Sequence, residues 1–144
     1  MDFNNIPENW VLCQNGQCPK AEQCLRHLAC LQAPASVKRW KCLLPNATNE
    51  EQCEFFQIAE KASMARGLNN IYRAIDSKKV RSIIRLNLTS FFGSKGSYYR
   101  YKNGERVMNP QMQQQVSDIV HQYAPDAEVS FDETFEAYDF TTIL

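Results

Sequence analysis

The chain has 144 residues, six cysteines and balanced charge, with 16 Lys/Arg and 16 Asp/Glu. That length holds one ordinary domain, or two small modules of roughly 60 to 80 residues each. The opening M-D-F-N-N-I-P has no basic stretch leading into an apolar run, and no segment stays apolar long enough to span a membrane. The expectation is a cytoplasmic protein without membrane attachment, in which the sequons N46-A-T48 and N87-L-T89 carry no glycan.

The neutral average conceals a separation along the chain. Residues 1–60 carry five Lys/Arg and seven Asp/Glu, a net of −2. Residues 61–106 carry eleven Lys/Arg against Asp76 and Glu105, a net of +9, and residues 107–144 carry seven Asp/Glu and no Lys or Arg, a net of −7. A +9 block beside a −7 block points to a basic ligand-facing surface with a separate acidic one, or to an acidic tail folded onto the basic segment. Solvated helix faces are the plain alternative.

All six cysteines fall in the first 53 residues, as C13-Q-N-G-Q-C18-P-K-A-E-Q-C24 followed by Cys30, Cys42 and Cys53. Without a secretory signal, clustered thiols are more often metal ligands than disulfide partners, and a metal stabilises a module too small to hold itself by burial. A turn at Gly16 brings Cys13 and Cys18 together. Pro19 suits a first helical turn, and Ala21, Cys24, Leu25, Leu28 and Leu31 recur at helical spacing, so a helix over 19–31 turns Cys24 inward.

The fourth ligand comes from later in the chain. Cys53, beside E54-F-F56, is favoured over Cys42, which lies in an expected strand V37-K-R-W-K-C-L-L44. A set of Cys13, Cys18, Cys24 and Cys53, with Cys42 as the alternative ligand, suits a structural zinc ion; an iron–sulfur cluster and thiols that merely pack are the alternatives. Cys30 reads as a buried apolar residue. His27 misses the spacing of a three-cysteine, one-histidine finger by one residue and reads as a surface histidine; His121 reads as solvent-exposed. There is no paired nucleophile and base, C-x2-C, Walker loop, G-x-G-x-x-G, H-E-x-x-H or G-x-S-x-G, so no enzymatic chemistry is expected.

From Gln57 the pattern is helical: Ile58, Ala62 and Ala65 line one side as far as Arg66, and Gly67 breaks the run. Leu68, Ile71, Tyr72 and Ile75 recur at three and four, and Asp76 or Ser77 fits an N-cap. The segment Lys78 to Phe92 is strongly amphipathic, with Val80, Ile83, Ile84, Leu88, Phe91 and Phe92 inward and Lys78, Arg81 and Arg85 on another face. Gly93 ends it as a C-cap glycine. Later, Asn109 caps and Pro110 starts a helix to Tyr123 whose stripe is Met112, Val116, Ile119, Val120 and Tyr123.

Between these helices, G93-S-K-G-S-Y-Y-R-Y-K-N-G-E-R106 admits two readings. One is a hairpin turning at Asn103-Gly104. The other is a short helix capped by Ser94, which the flanking helices favour because a second strand would have only Glu105 to Met108.

Helix, glycine turn, short helix with a K-x-x-Y-x-x-Y core and an Asn-Gly stop resembles the phage-repressor type of helix-turn-helix over residues 66–123. The resemblance implies a short helix in the DNA major groove. Tyr98 and Tyr101 would pack inward, leaving Lys95, Ser97, Tyr99, Arg100 and Lys102 for DNA. The whole chain, through N9-W-V-L-C13, C18-P-K-A-E-Q-C-L-R26, Cys42, C53-E-F-F56, Y98-Y-R-Y-K-N-G-E-R106 and N109-P-Q-M-Q-Q, also resembles a bacterial family of Bacteroidetes known only as a domain of unknown function. That resemblance implies no activity, only that the two halves belong to one protein.

The expected fold class is therefore mainly α with few short strands. Residues 1–56 form a small cysteine-rich metal-binding module, residues 57–124 a basic helical, helix-turn-helix-like module, and residues 125–144 an acidic aromatic tail that packs on its own domain or meets a protein partner. The expected function is non-enzymatic binding of double-stranded DNA, as in a transcription regulator. Lys78, Arg81, Arg85 and Lys102 attract phosphates, and Lys95 and Arg100 read bases. A zinc-stabilised protein–protein adaptor and an iron–sulfur redox or sensing protein are the alternatives.

Overall fold

The computed structural model describes residues 1–47 and 52–142. Thr48 of the first sequon, positions 49–51 of the cysteine-rich half and the last two residues of the acidic segment lie outside the described residues. In chain order the regular elements are α1 (Leu25–Leu31), β1 (Lys61–Arg66), α2 (Asn69–Arg73), α3 (Lys78–Phe92), α4 (Lys95–Lys102), α5 (Pro110–Tyr123) and β2 (Glu133–Tyr138), and β1 pairs with β2. The fold is mainly α with a small two-stranded antiparallel sheet. No helix among the described residues is long and apolar enough to cross a membrane.

The chain forms two compact units: residues 1–61 together with the end of the chain from Tyr138, and residues 62–137.

In the second unit, three helices start for one reason. A short polar side chain accepts a bond from a backbone N–H that the first turn leaves unpaired. Ser77 takes Val80 N–H at 3.3 Å, Ser94 takes Ser97 N–H at 3.1 Å, and Asn109 takes Met112 N–H at 2.8 Å. Gly93 ends α3 in the left-handed region (φ 92°), and two residues later α4 begins, so residues 95–102 are helical and not one arm of a hairpin. α3 packs against both α4 and α5. Ile84, Leu88, Tyr98, Met108, Val116 and Val120 bury themselves between these helices, joined by Leu68, Ile71 and Ile75.

Residues 125–142 are drawn into both units. Ala127, Val129 and Phe131 pack on the helical core. The Asp132 carboxylate accepts Asn70 N–H at 2.7 Å and the Asn69 side-chain amide at 2.9 Å, which serves the start of α2 from about sixty positions away in sequence. In the first unit, Phe140 meets Trp10 edge-on at 5.2 Å.

Three sequence expectations are corrected here. The run Gln57 to Arg66 is not a helix: Lys61–Arg66 is a strand whose partner lies some seventy residues on, and Ala65 also pairs with Met108. Local helix preference for Ala, Met and Lys is weak, and this non-local pairing overrides it. The helix over 19–31 is divided, because a 3-10 turn at Ala21–Gln23 precedes α1 and Cys24 is extended at the N-cap. The strand over 37–44 is reduced to a single bridge between Leu12 and Cys42.

Gly67 and Gly93 both have positive φ, at 80° and 92°, but a methyl group at Gly67 would overlap the Asp132 carboxyl group, whereas at Gly93 it meets nothing within 4 Å. Gly93→Ala is expected to cost about 1–2 kcal/mol, the backbone penalty alone, and Gly67→Ala distinctly more. Urea unfolding of the two variants checks the order.

Candidate functional site

The cysteine site begins with backbone pairing. Leu25 N–H donates to Gln57 O at 2.7 Å and Ala59 N–H to Gln23 O at 2.9 Å, an antiparallel bridge that sets Cys24 opposite Ile58. The chain just before that bridge carries Cys53. Cys13 N–H donates to Arg26 O at 3.2 Å, and the turn after it is held by Gln17 N–H on the Asn15 side chain at 3.1 Å. These bonds bring four sequence-distant sulfurs, those of Cys13, Cys18, Cys24 and Cys53, to the wall of one cavity of about 10 Å³. Phe55 and Phe56 lie in the same wall. Among the described residues, no group of three or more His, Cys, Asp or Glu side chains stands in an arrangement that could hold a metal ion as it is.

Cys42 is not part of that wall; its neighbour Leu43 is, and the Cys42 sulfur accepts the Gln14 side-chain amide at 3.8 Å. Cys30 is half-buried against the apolar cluster of Phe3, Ile6, Trp10, Leu12, Leu25 and Ala29. His27, read from sequence as a surface residue, is half-buried in the cavity wall with Nδ1 3.1 Å from Cys13 O. Its position follows from the first turn of α1, which points back at the Cys13 loop. Burial pushes the Cys13 thiol up, partly opposed by a hydrogen bond with the Asn15 backbone, and the Cys24, Cys53 and Cys18 thiols push it further.

The sequence reading missed Arg26. It is 2 % exposed, donates Nε to Phe55 O at 2.8 Å and Nη1 to Val11 O at 2.9 Å, and lies 4.2 Å from the Trp10 ring centre. Burial holds its pKa below the ordinary arginine value, while the thiols of Cys24, Cys53 and Cys13 work the other way. The available signal was its place two residues after Cys24, as the one cation between Lys20 and Lys38.

The residues expected to face DNA separate into two groups. Lys78, Arg81, Arg85 and Lys102 line one cavity with Tyr72, Ser82 and Tyr98. Lys95, Tyr99 and Arg100 stand exposed along α4, away from that wall, and the Ser97 hydroxyl accepts Arg106 Nη1 at 3.1 Å. Tyr98 is 1 % exposed, as an inward residue should be, and Tyr101 is half-buried against Phe92 with ring centres 4.2 Å apart. Among the described residues, none of the four cavity cations has an ion pair.

A family model, that of a family of unknown function (DUF6078), matches residues 1–140. The chain belongs to that family. The match spans the cysteine cavity and the basic helices alike, so both are parts of one family member. No curated protein and no solved structure matches the chain.

Removing the Arg26 guanidinium leaves the half-buried Val11 and Phe55 carbonyls without its donors, which costs up to about 1–3 kcal/mol for each unsatisfied group. Arg26→Met is therefore expected to lower stability by roughly 2 kcal/mol or more. Arg26→Lys recovers little, because an ammonium lacks the planar fork that reaches both oxygens. Thermal unfolding of both variants tests this.

Proposed function

We propose that the chain is a non-enzymatic DNA-binding protein in which α3, the Gly93–Ser94 turn and α4 act as a helix-turn-helix. The observation that carries this reading is the exposed edge of α4, where Lys95, Tyr99 and Arg100 are free of the core while Tyr98 anchors the helix from its other side. A short helix gripped by one buried aromatic can enter a major groove without disturbing its own packing. Lys95 and Arg100 read base edges, Arg100 through its two-pronged guanidinium. The cations of α3, with Lys102, supply sequence-independent attraction to phosphates.

The cysteine cavity serves as a scaffold in this proposal. Four thiols of Cys13, Cys18, Cys24 and Cys53 at one cavity are the donor set that zinc prefers. Ion binding would draw the sulfurs together, and its free energy would add to folding.

A screen of purified protein against random duplexes at about 50 mM salt, where phosphate attraction is strong, is the direct test. Binding is expected; its absence would sink the DNA reading. Arg100→Ala should relax sequence preference, while Lys78→Ala should weaken all duplexes evenly and lower the salt slope by about 1. For the scaffold, metal analysis should find one zinc per chain, and Cys18→Ser should lose it; metal-free protein that folds as stably as the purified form would overturn the assignment.

A further inference from the structure

Helical spacing puts Lys78, Arg81 and Arg85 on one stripe of α3, and the last turn of α4 adds Lys102. Together they wall a cavity of about 320 Å³ that contains no carboxylate in its lining. Arg81 donates to Ile75 O at 3.2 Å and Lys102 to the Asn69 side-chain oxygen at 3.0 Å. The Lys78 and Arg85 side chains make no hydrogen bond or ion pair among the described residues, and Arg85 acts electrostatically on Tyr72 and Tyr98. Four like charges in one concavity repel, and low-dielectric walls screen that repulsion less than an open surface does.

Two phenols, buried Tyr98 and half-buried Tyr72, add to the wall. Tyr98 donates to Tyr72 at 2.8 Å. The pair carries two protons and that bond uses one, so a Tyr72 O–H is left for whatever occupies the cavity. Burial raises both phenols above their ordinary range, which keeps them protonated as donors. The wall thus offers ammonium, guanidinium and phenol donors to an occupant rich in acceptor oxygens.

We propose that this cavity binds a small phosphorylated molecule with at least two negative charges, of the size of a nucleotide or sugar phosphate. Its volume lies at the lower end of the roughly 300–1,000 Å³ usual for small-ligand sites. Phosphoryl oxygens accept, so they match the four cations of this wall, and an arginine fork can take two of them. The proposal shares Lys78, Arg81, Arg85 and Lys102 with the DNA reading, which uses them as phosphate contacts, but none of its base-reading residues, since Lys95 and Arg100 are not in this wall.

Titration calorimetry of the full chain with inorganic pyrophosphate, near physiological salt, tests it. One saturable site is expected. Arg85→Gln should weaken it by about tenfold or more, the scale of losing a charge-assisted, two-pronged contact, and Lys78→Gln should weaken it less. Lys79→Gln, which removes the same charge from an exposed neighbour outside the cavity, should leave it unchanged. Circular dichroism checks that each variant is folded. No saturable binding, or equal weakening by Lys79→Gln, would overturn the proposal. A random-duplex titration of the same samples keeps the readings apart: duplex binding without pyrophosphate binding removes only the cavity ligand, and the reverse removes only the DNA function.

Discussion

A guanidinium almost without contact to water is the constraint around which the cysteine unit is organised. Arg26 cannot be deprotonated under ordinary conditions, so its burial is tolerable only where donors find oxygens and the charge finds a polarisable surface. It finds the oxygens on Val11 and Phe55 and the surface on Trp10. Those partners are not incidental. Val11 lies two residues before Cys13, Phe55 two after Cys53, and Arg26 itself two after Cys24. One side chain therefore joins three segments that each bring a sulfur to the cavity. The Cys24–Ile58 bridge adds the register, and the turn after Cys13 brings in Cys18.

The helical unit depends on a different economy of contacts. Its helices are capped locally, but β1 and the start of α2 are completed by residues more than sixty positions later. Asp132 takes three donors at the start of α2, and β2 supplies the partner of β1. The acidic segment is thereby an integral part of the fold, and its aromatics are engaged within it: Phe135 stands 5.4 Å from the Arg66 guanidinium. Among the described residues, its acids make no ion pair with the four cavity cations.

What could be read from the residues alone follows this division between local and distant causes. α3, α4 and α5 begin and end where Ser77, Gly93, Ser94, Asn109 and Pro110 indicate, because caps and hydrophobic periodicity act within one or two turns. The choice of helix over hairpin for residues 95–102 was likewise legible from flanking lengths. β1 was not, since Ala62 to Arg66 resembles a helix until its distant partner is known. Spacing and chemistry singled out Cys13, Cys18, Cys24 and Cys53, and these four residues line one cavity; their role as metal ligands is a proposal. Arg26 was missed because charge predicts exposure, and only the carbonyls of Val11 and Phe55 reverse that expectation. The basic cavity was half legible: helical spacing aligned Lys78, Arg81 and Arg85, but only the packing of α4 shows that Lys102 and Tyr98 close it.

The two cavities share a thermodynamic logic. One gathers thiols beside the Arg26 guanidinium, and the other gathers cations that have no ion pair among the described residues. Gathering like groups costs free energy that a small unit, with only a few kcal/mol of net stability, must offset by packing elsewhere. A ligand that binds only the folded form offsets that cost in proportion to the logarithm of its concentration over its dissociation constant. The helical unit has the larger apolar cluster to set against the repulsion, through Ile84, Leu88, Val116 and Val120. The cysteine unit has the smaller one, reinforced by Arg26. If the proposed occupants bind, the ion in the cysteine cavity should therefore add more to folding than the ligand in the basic one.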